Sequence, residues 1–312
     1  MDLNLNDKRI VGDTELFKNF QEEYDKNINF LESFSSLIFF SGRIISFFKD
    51  GKMYTVNTVL LDNAIQTLKS IKMCCSIGSF ADANTLIRKL RDDLILYVYI
   101  LDVTNKRKAF VEEDLKNIKT ENVDEFVDTV LNIRFNPVVT DDEKAVGAWL
   151  SNTVEELPHS IRMKKLSFEN YMKFLRQNEN IVKILDDYKL QGYWETLRNK
   201  LNNYVHNNGI QFTSHNLIKE HSQSLDVYLK NINVRTSYII TFFLVLVIMT
   251  EAALISSSDM IDYLDCGMEP PEGCQYEIAP FIQDFIDNEV VKIHPELKLF
   301  LKDNNNYGMR IN

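Results

Sequence analysis

The chain has 312 residues, a net charge of −10 at neutral pH, and only 10 glycines and 6 prolines. So few turn-forming residues argue against a turn-rich β protein, while 45% hydrophobic residues supply a large core and argue against disorder. The excess of 45 acidic over 35 basic residues excludes binding of a polyanion across the whole surface, although a local basic patch remains compatible with the composition.

Apolar periodicity predicts helices along most of the chain. From Leu16 to Phe48, apolar residues recur at steps of three and four, which is typical of one buried helical stripe. A second helix is predicted from about Val56 to Ile77, ending at Gly78. Ser79, a good N-cap residue, begins a third helix that reaches Asp102, and the second and third helices are expected to form an antiparallel hairpin.

The second half of the chain continues the helical pattern. Thr140 and Glu143 have the spacing of a capping box, which predicts a helix to about Glu156 before Pro158. Ser167 is a further predicted N-cap. The other predicted helices span residues 180–188, 190–207, 214–256, 276–288 and 295–302, the charged segment 104–121 is predicted to hold a short exposed helix, and the asparagine-rich end at 303–308 is expected to fray. Only residues 53–58 suggest a short strand.

These elements predict an all-α protein in three segments. An N-terminal long helix occupies residues 1–55, a helical bundle with inserted helices occupies 56–256, and a helical tail occupies 257–312. No repeat and no phosphate-binding glycine motif is visible, which argues against P-loop and Rossmann enzymes.

Tyr238 to Met249 is the strongest candidate for a membrane span. The run is 12 residues long, whereas a bilayer span needs about 20 apolar residues. We therefore expect the core helix of a soluble protein, with membrane association as the weaker alternative. The N-terminus lacks a cationic start and an apolar h-region, and four cysteines are too few for a disulfide framework, so a cytoplasmic location with free thiols is expected.

The segment YWETLRNKLNNYVHNNG, residues 193–209, gathers groups that handle phosphate. Arg198, Asn202 and His206 follow one another at steps of four, and Asn199 lies seven positions before His206. An imidazole transfers protons near neutral pH, and a guanidinium stabilises a developing oxyanion. A helix face with these side chains at the edge of the core is a candidate phosphate-handling site.

The same residues also have a purely structural interpretation. Arg198 would pair with Glu195 or Asp187, and His206 would cap the helix end. Upstream, Arg88 and Asp92 lie four apart on the third helix, either as an intrahelical ion pair or as a clamp facing His206.

Arg91 and Asp93, the neighbours of Asp92, are expected to face solvent.

A resemblance rests on two of these segments. Arg88 within ADANTLIRKLRDDLILYVYIL, followed more than 100 residues later by LNNYVHNNG, resembles uncharacterised bacterial all-α proteins related to the HEPN superfamily. HEPN domains are helical bundles, often dimeric, and many are metal-independent ribonucleases of toxin or phage-defence systems. Their signature is an arginine, usually followed by a polar residue, then a histidine after four to six intervening residues.

Carried onto this chain, the signature implies Arg198 and His206 as catalytic residues. His206 would help a ribose 2′-hydroxyl attack the adjacent phosphate, and Arg198 would stabilise the pentacovalent charge. Asn199 or Asn202 would orient one of these two residues, and Arg88 and Asp92 would be a supporting pair or a substrate clamp. Seven residues separate Arg198 from His206, one more than the signature allows.

The leading hypothesis is therefore a HEPN-like, metal-independent ribonuclease or effector of phage defence or toxin–antitoxin control. It would act on RNA without a cofactor, as a homodimer or with a partner protein. The alternative is a catalytically inactive helical module that binds a protein partner in a defence complex, which the spacing mismatch and the net charge favour.

Two other kinds of site are weaker. Arg162, Lys164 and Lys165 form a basic cluster that would guide RNA if it lies beside His206, although such runs are more often a solvated surface. No cysteine pair has the spacing of a zinc site and no HExxH motif occurs, so no metal site is predicted.

Overall fold

The chain is mostly helical, which confirms the predicted all-α class. The computed structural model describes residues 11–40, 45–49, 52–107, 122–132 and 140–312. Its main elements are α1 (Glu15–Phe40), β1 (Ile45–Lys49), β2 (Lys52–Val56), α2 (Val59–Ser76), α3 (Phe80–Lys106), α4 (Val123–Asn132), α5 (Asp141–Leu150), α6 (His159–Lys165), α7 (Phe168–Leu175), α8 (Glu179–Asp186), α9 (Leu190–Val205), α10 (Ile210–Ser214), α11 (Leu225–Thr250), α12 (Asp259–Asp265), α13 (Pro280–Phe285), α14 (Val291–Ile293) and α15 (Leu297–Asn304). A π-helical turn at Ile286–Val290 joins α13 to α14.

Helix α11 is the centre of the core. Its run Tyr238–Met249 is buried throughout, and α1 and α3 pack along it. The helix is long and apolar enough to cross a membrane, but 78% of its most apolar 18-residue window is buried inside the protein. Burial on this scale is consistent with the predicted core helix of a soluble protein.

The C-terminal end of α11 is buried and closed by asparagines from three segments. Asn178 donates to Met249 O at 3.0 Å, and Asn105 and Asn306 each donate to Thr250 O at 3.1 Å. These bonds satisfy carbonyls that have no partner within the helix. The segment 303–308 was expected to fray, and this expectation is wrong because Asn306 is fixed at the end of α11.

The hairpin of α2 and α3 forms as predicted. Gly78 follows α2 with φ +80°, a conformation that glycine adopts without strain. A Cβ atom there would lie 2.0 Å from Ile218 O. Gly78 is therefore required both by the turn and by the close approach of the later chain.

The N-terminus of α3 is capped from a distant part of the chain. Ser79 occupies the predicted N-cap position, but its side chain accepts no cap hydrogen bond and donates to Asp82 Oδ2 at 2.6 Å. Asn216 Oδ1 instead accepts from the backbone N–H groups of Ala81, at 2.8 Å, and Asp82, at 3.1 Å. Residues before α11 thus hold the start of α3.

Local signals were reliable for two other helices. Thr140 and Glu143 form both bonds of the predicted capping box, although α5 ends at Leu150 and a 3₁₀ turn at Val154–Glu156 follows it. Ser167 accepts from Asn170 N at 3.4 Å and caps α7 as predicted.

The prediction that the first helix reaches Phe48 is wrong. Helix α1 ends at Phe40, and β1 pairs with β2 in an antiparallel hairpin that aligns Phe47 with Tyr54. β-Branched and aromatic residues favour strands when a partner is adjacent, and the suggested strand at 53–58 supplies that partner. Most of the charged segment 104–121 lies outside the described residues.

One hydrophobic cluster runs through all three predicted segments. The ring of Phe30 in α1 stacks on Phe285 of the tail with a centroid distance of 3.8 Å, and Phe34 contacts Phe243 of α11 at 5.9 Å. The N-terminal helix and the tail therefore share their core with the bundle.

We predict that Asn216→Ala destabilises the protein by about 1–2 kcal/mol, because it removes the acceptor for two helix N-terminal donors. Urea unfolding followed by circular dichroism measures the change.

The control is Asn208→Ala, which removes only an exposed bond to Asn203. Equal losses in the two variants would contradict a capping role for Asn216.

Candidate functional site

Helix α9 carries the residues of the LNNYVHNNG motif and packs against α3 and α7. The Arg198 side chain is 38% exposed, and its Nη2 donates to Glu169 Oε1 of α7. Sequence spacing favours Glu195 or Asp187 as the partner, but the carboxylate comes from the neighbouring helix instead. Arg198 is thus an interhelical link that still reaches solvent.

His206 is the C-cap of α9. Its backbone N–H donates to Asn202 O at 3.0 Å, while its imidazole is exposed and has no hydrogen-bond partner among the described residues. The eight positions from Arg198 to His206 correspond to about 12 Å along the helix axis and about 80° around it. A single copy of the chain therefore does not bring the two side chains to one phosphate.

The two asparagines of the predicted site differ in burial. Asn199 is exposed, whereas the side-chain oxygen of Asn202 is buried and has no hydrogen-bond partner among the residues that the structure describes. Asn202 lies between Arg198 and His206 on α9 and touches the interior of the bundle.

Arg91 is the most buried charged group near this helix, and the prediction that it faces solvent is wrong. Its side chain is 2% exposed, and its guanidinium lies 4.1 Å from the centroid of the Phe168 ring. Asp92 Oδ1 accepts from its Nε at 2.8 Å and from its Nη2 at 2.6 Å. The aromatic face and the carboxylate replace part of the water that the cation loses, while Nη1 is buried and has no hydrogen-bond partner among the described residues.

Charge around Arg91 is concentrated. Burial lowers the pKa of Arg91 most, Asp92 opposes this effect, and the positive charges of Arg88 and Arg198 lower the pKa further. Burial also raises the pKa of the Asp92 carboxyl in spite of Arg91. Three arginines from α3 and α9 therefore lie within electrostatic reach of one another.

Arg88 and Asp92 form the predicted ion pair. Arg88 Nε lies 3.7 Å from Asp92 Oδ2, and both side chains are partly exposed. This contact is weaker than the two bonds that Asp92 accepts from Arg91.

The packing of α3 against α9 is antiparallel. Arg91 of α3 lies near Arg198, while toward the other ends Arg235 of α11 donates to Asn84 of α3 and lies 5.9 Å over the ring of Tyr204 of α9. Along the axis of α9, Arg88 lies between the level of Arg198 and the level of Tyr204, about 8 Å from the level of His206. The proposed clamp is thus closer to Arg198 than to His206.

Helices α7 and α9 enclose a pocket of about 250 Å³, which we call the α7–α9 groove. Arg198 lines it together with two more cations, Lys173 and Arg176 of α7. Glu169 and Glu195 are the carboxylates of the same lining. The groove has a positive excess of one charge in a chain that is acidic as a whole.

Trp194 lines this groove with a side chain that is 2% exposed. Its indole Nε1 is itself buried and has no hydrogen-bond partner among the described residues. Arg176 Nη2 donates to Gln191 Oε1 at 2.7 Å and lies 3.9 Å from Asp186 Oδ1, whereas Lys173 is exposed and forms no ion pair within the described part of the chain. Cations beside a small cavity suit an anionic group.

Sequence reasoning missed Lys173, Arg176 and Trp194 as site residues. The two cations precede Arg198 by more than 20 positions, and only the packing of α7 on α9 brings them together. Trp194 lies within the motif, but nothing in the local sequence distinguishes it from an ordinary core residue.

The basic cluster of α6 lies on the element before α7. Arg162 Nη1 is 2.9 Å from Glu155 Oε2, and Lys165 Nζ is 2.6 Å from Asp142 Oδ2. Burial raises the pKa of Asp142, but hydrogen bonds from Lys165 and its neighbours outweigh burial and lower it. Lys164 is exposed. Two of the three cations are therefore engaged in ion pairs.

Among the described residues, no group of three or more histidine, cysteine, aspartate or glutamate side chains could hold a metal ion. The four cysteines are free thiols.

Comparisons of the chain with protein-family models, with curated proteins and with solved structures find no match. The site must therefore be interpreted from its own geometry.

We predict that Arg91→Ala destabilises the protein by about 2–4 kcal/mol, because it removes a buried side chain packed on Phe168 together with both of its hydrogen bonds to Asp92. Arg88→Ala, one turn away, is the matched control and should cost less than about 1 kcal/mol. Urea unfolding midpoints measure both changes. Similar losses of stability in the two variants would contradict the conclusion that Arg91, unlike Arg88, is a buried structural residue.

Proposed function

We propose that the protein is an RNA-directed effector of the HEPN-like class, and that the α7–α9 groove binds the phosphodiester backbone. The observation that carries this proposal is the convergence of Lys173, Arg176 and Arg198 on one pocket of about 250 Å³. Phosphate contacts from clustered cations supply most of the affinity of proteins for single-stranded nucleic acid.

The groove has the donors that a phosphate requires. Arg198 offers a planar guanidinium, and Lys173 offers an ammonium with no ion pair among the described residues.

Glu169 does not prevent this binding. Its side chain is 62% exposed, and exposed ion pairs contribute less than about 1 kcal/mol to stability. A phosphate that forms several charge-assisted bonds at once displaces such a carboxylate.

The class assignment rests on the resemblance of the α3 and α9 motifs to HEPN proteins. On that basis the bundle of residues 56–256 is the HEPN-like unit, and the protein acts in the cytoplasm in phage defence or toxin–antitoxin control. The mechanism that the resemblance implies uses no metal and no cofactor.

We predict that Arg198→Ala and Lys173→Ala each weaken binding of a fluorescein-labelled 20-nucleotide RNA and reduce the salt dependence of binding. Three phosphate contacts give a slope of log K against log salt of about −2, and each lost contact removes about 0.7. Fluorescence anisotropy across a salt series measures both quantities.

Lys230→Ala is the matched control, because Lys230 is 74% exposed and pairs with Asp226 on its own helix. Equal effects of Arg198→Ala and Lys230→Ala would show that RNA binds by overall charge and not in the groove.

RNA cleavage is a second candidate function, favoured by the imidazole of His206, which is exposed and has no partner in the part of the chain that the structure describes. Because Arg198 and His206 are about 12 Å apart along α9, cleavage requires a homodimer in which the histidine of one copy meets the arginine of the other. The 2′-hydroxyl would then attack the phosphate, giving a 2′,3′-cyclic phosphate and a free 5′-hydroxyl.

We predict for this candidate that His206→Ala abolishes RNA degradation in cells expressing the protein, while His221→Ala does not. His221 is a suitable control because its side chain is 75% exposed and it lies outside both motifs. Total RNA integrity at matched protein levels is the measurement.

Full RNA degradation in cells expressing His206→Ala would exclude a catalytic role for the histidine. If the wild type and every variant bind RNA without degrading it, the protein is an RNA-binding effector that does not cut. If the wild type does not bind RNA either, the catalytically inactive interaction module is favoured.

A further inference from the structure

A cleft of about 800 Å³ lies on the other side of the first turn of α9 from the α7–α9 groove. Its walls come from α1, the start of α9, α11 and the tail segment from α13 to α14. Tyr193 lines this cleft and the next residue, Trp194, lines the groove, so the two sites are separate. We call it the tail cleft.

The tail cleft has aromatic walls. On one side, Phe30 stacks on Phe285 with a centroid distance of 3.8 Å. On the other, Tyr193 and Tyr238 are 4.0 Å apart. Tyr193 is 39% exposed, so part of its ring is available to a ligand. Such walls favour a flat ring between them.

Amide and hydroxyl groups line the tail cleft between these walls. Asn27 is 3% exposed and donates to Ser237 Oγ at 3.0 Å and to Asn233 Oδ1 at 3.5 Å. Further amides and hydroxyls of the lining are Asn29, Ser33, Thr241 and Asn288. Side chains of this kind both donate and accept hydrogen bonds, as recognition of a ring with several nitrogen and oxygen atoms requires.

The charges of the lining balance. Three acidic and three basic side chains contribute, and two pairs neutralise each other on their own elements: Lys26 with Glu23 at 2.7 Å and Lys292 with Glu289 at 2.8 Å. The tail cleft therefore lacks the positive excess that a phosphorylated ligand needs, in contrast to the α7–α9 groove.

The backbone at the tail cleft is unusual at two places. The π-helical turn Ile286–Val290 contributes Asn288 and Glu289 to the wall, and Lys189 at the rim has φ +56° although it is not glycine. Such turns and left-handed residues cost free energy and cluster at functional sites.

We propose that the tail cleft binds an uncharged heteroaromatic molecule of the nucleoside class. The ring stacks against the exposed face of Tyr193, and its polar edge is bound by the amides of the lining. The volume lies within the range of small-molecule sites, about 300–1,000 Å³. This proposal does not depend on RNA binding in the α7–α9 groove.

The test is to titrate the full chain with adenosine, guanosine, cytidine and uridine, and to measure binding by isothermal titration calorimetry and by thermal unfolding. At least one nucleoside should bind with a Kd below about 100 μM and raise the melting temperature in proportion to its concentration. Its 5′-monophosphate should bind no more tightly than the nucleoside, because the lining has no positive excess.

Val234→Arg is the variant that blocks the tail cleft, and Val227→Arg is its control. Both valines lie on α11 and are 56% exposed, but only Val234 lines the cleft. Val234→Arg should weaken binding at least about tenfold, while Val227→Arg should leave it within about twofold. Tyr193→Ala should also weaken binding, with Tyr276→Ala, an exposed tyrosine outside the lining, unchanged.

Three results would overturn the proposal. They are the absence of binding by all four nucleosides up to about 5 mM, equal binding by the Val234 and Val227 variants, and a monophosphate that binds more than about tenfold tighter than its nucleoside.

Discussion

The structure depends on burying α11 along its whole apolar run. An apolar helix surrounded by protein needs neighbours on every side and partners for the carbonyls at its end. Helices α1 and α3 supply the sides, and Asn105, Asn178 and Asn306 supply the partners. Because these asparagines come from α3, the start of α8 and the tail, completing the end of one helix also fixes the positions of three distant segments.

The same packing creates the polar layer between α3, α7 and α9. With α3 fixed against α11, Arg91 points inward and must be covered by Phe168 and paired with Asp92. The helix that brings Phe168 also brings Lys173 and Arg176 to Arg198. The candidate phosphate groove is thus a consequence of how a buried arginine is accommodated.

Caps and turns formed by neighbouring residues were predictable from the sequence, whereas contacts between distant segments were not. The capping box at Thr140, the cap at Ser167 and the turn at Gly78 each depend on a few adjacent residues, and all were predicted. The cap of α3 by Asn216 and the burial of Arg91 depend on contacts with residues far along the chain, which no periodicity records. The sequence motif identified Arg198 and His206 as candidate site residues. Their separation along α9 and the cations that lie near Arg198 became visible only in the folded structure.

We propose that RNA lies in the α7–α9 groove. The most direct measurement is photo-cross-linking of 4-thiouridine-labelled RNA to the full chain, with the attached peptides mapped by mass spectrometry. We expect cross-links to α7 and to the first half of α9, around Phe168 and Trp194. Cross-links confined to other surfaces, such as the exposed Lys302 of α15, or no cross-link at all, would contradict this proposal.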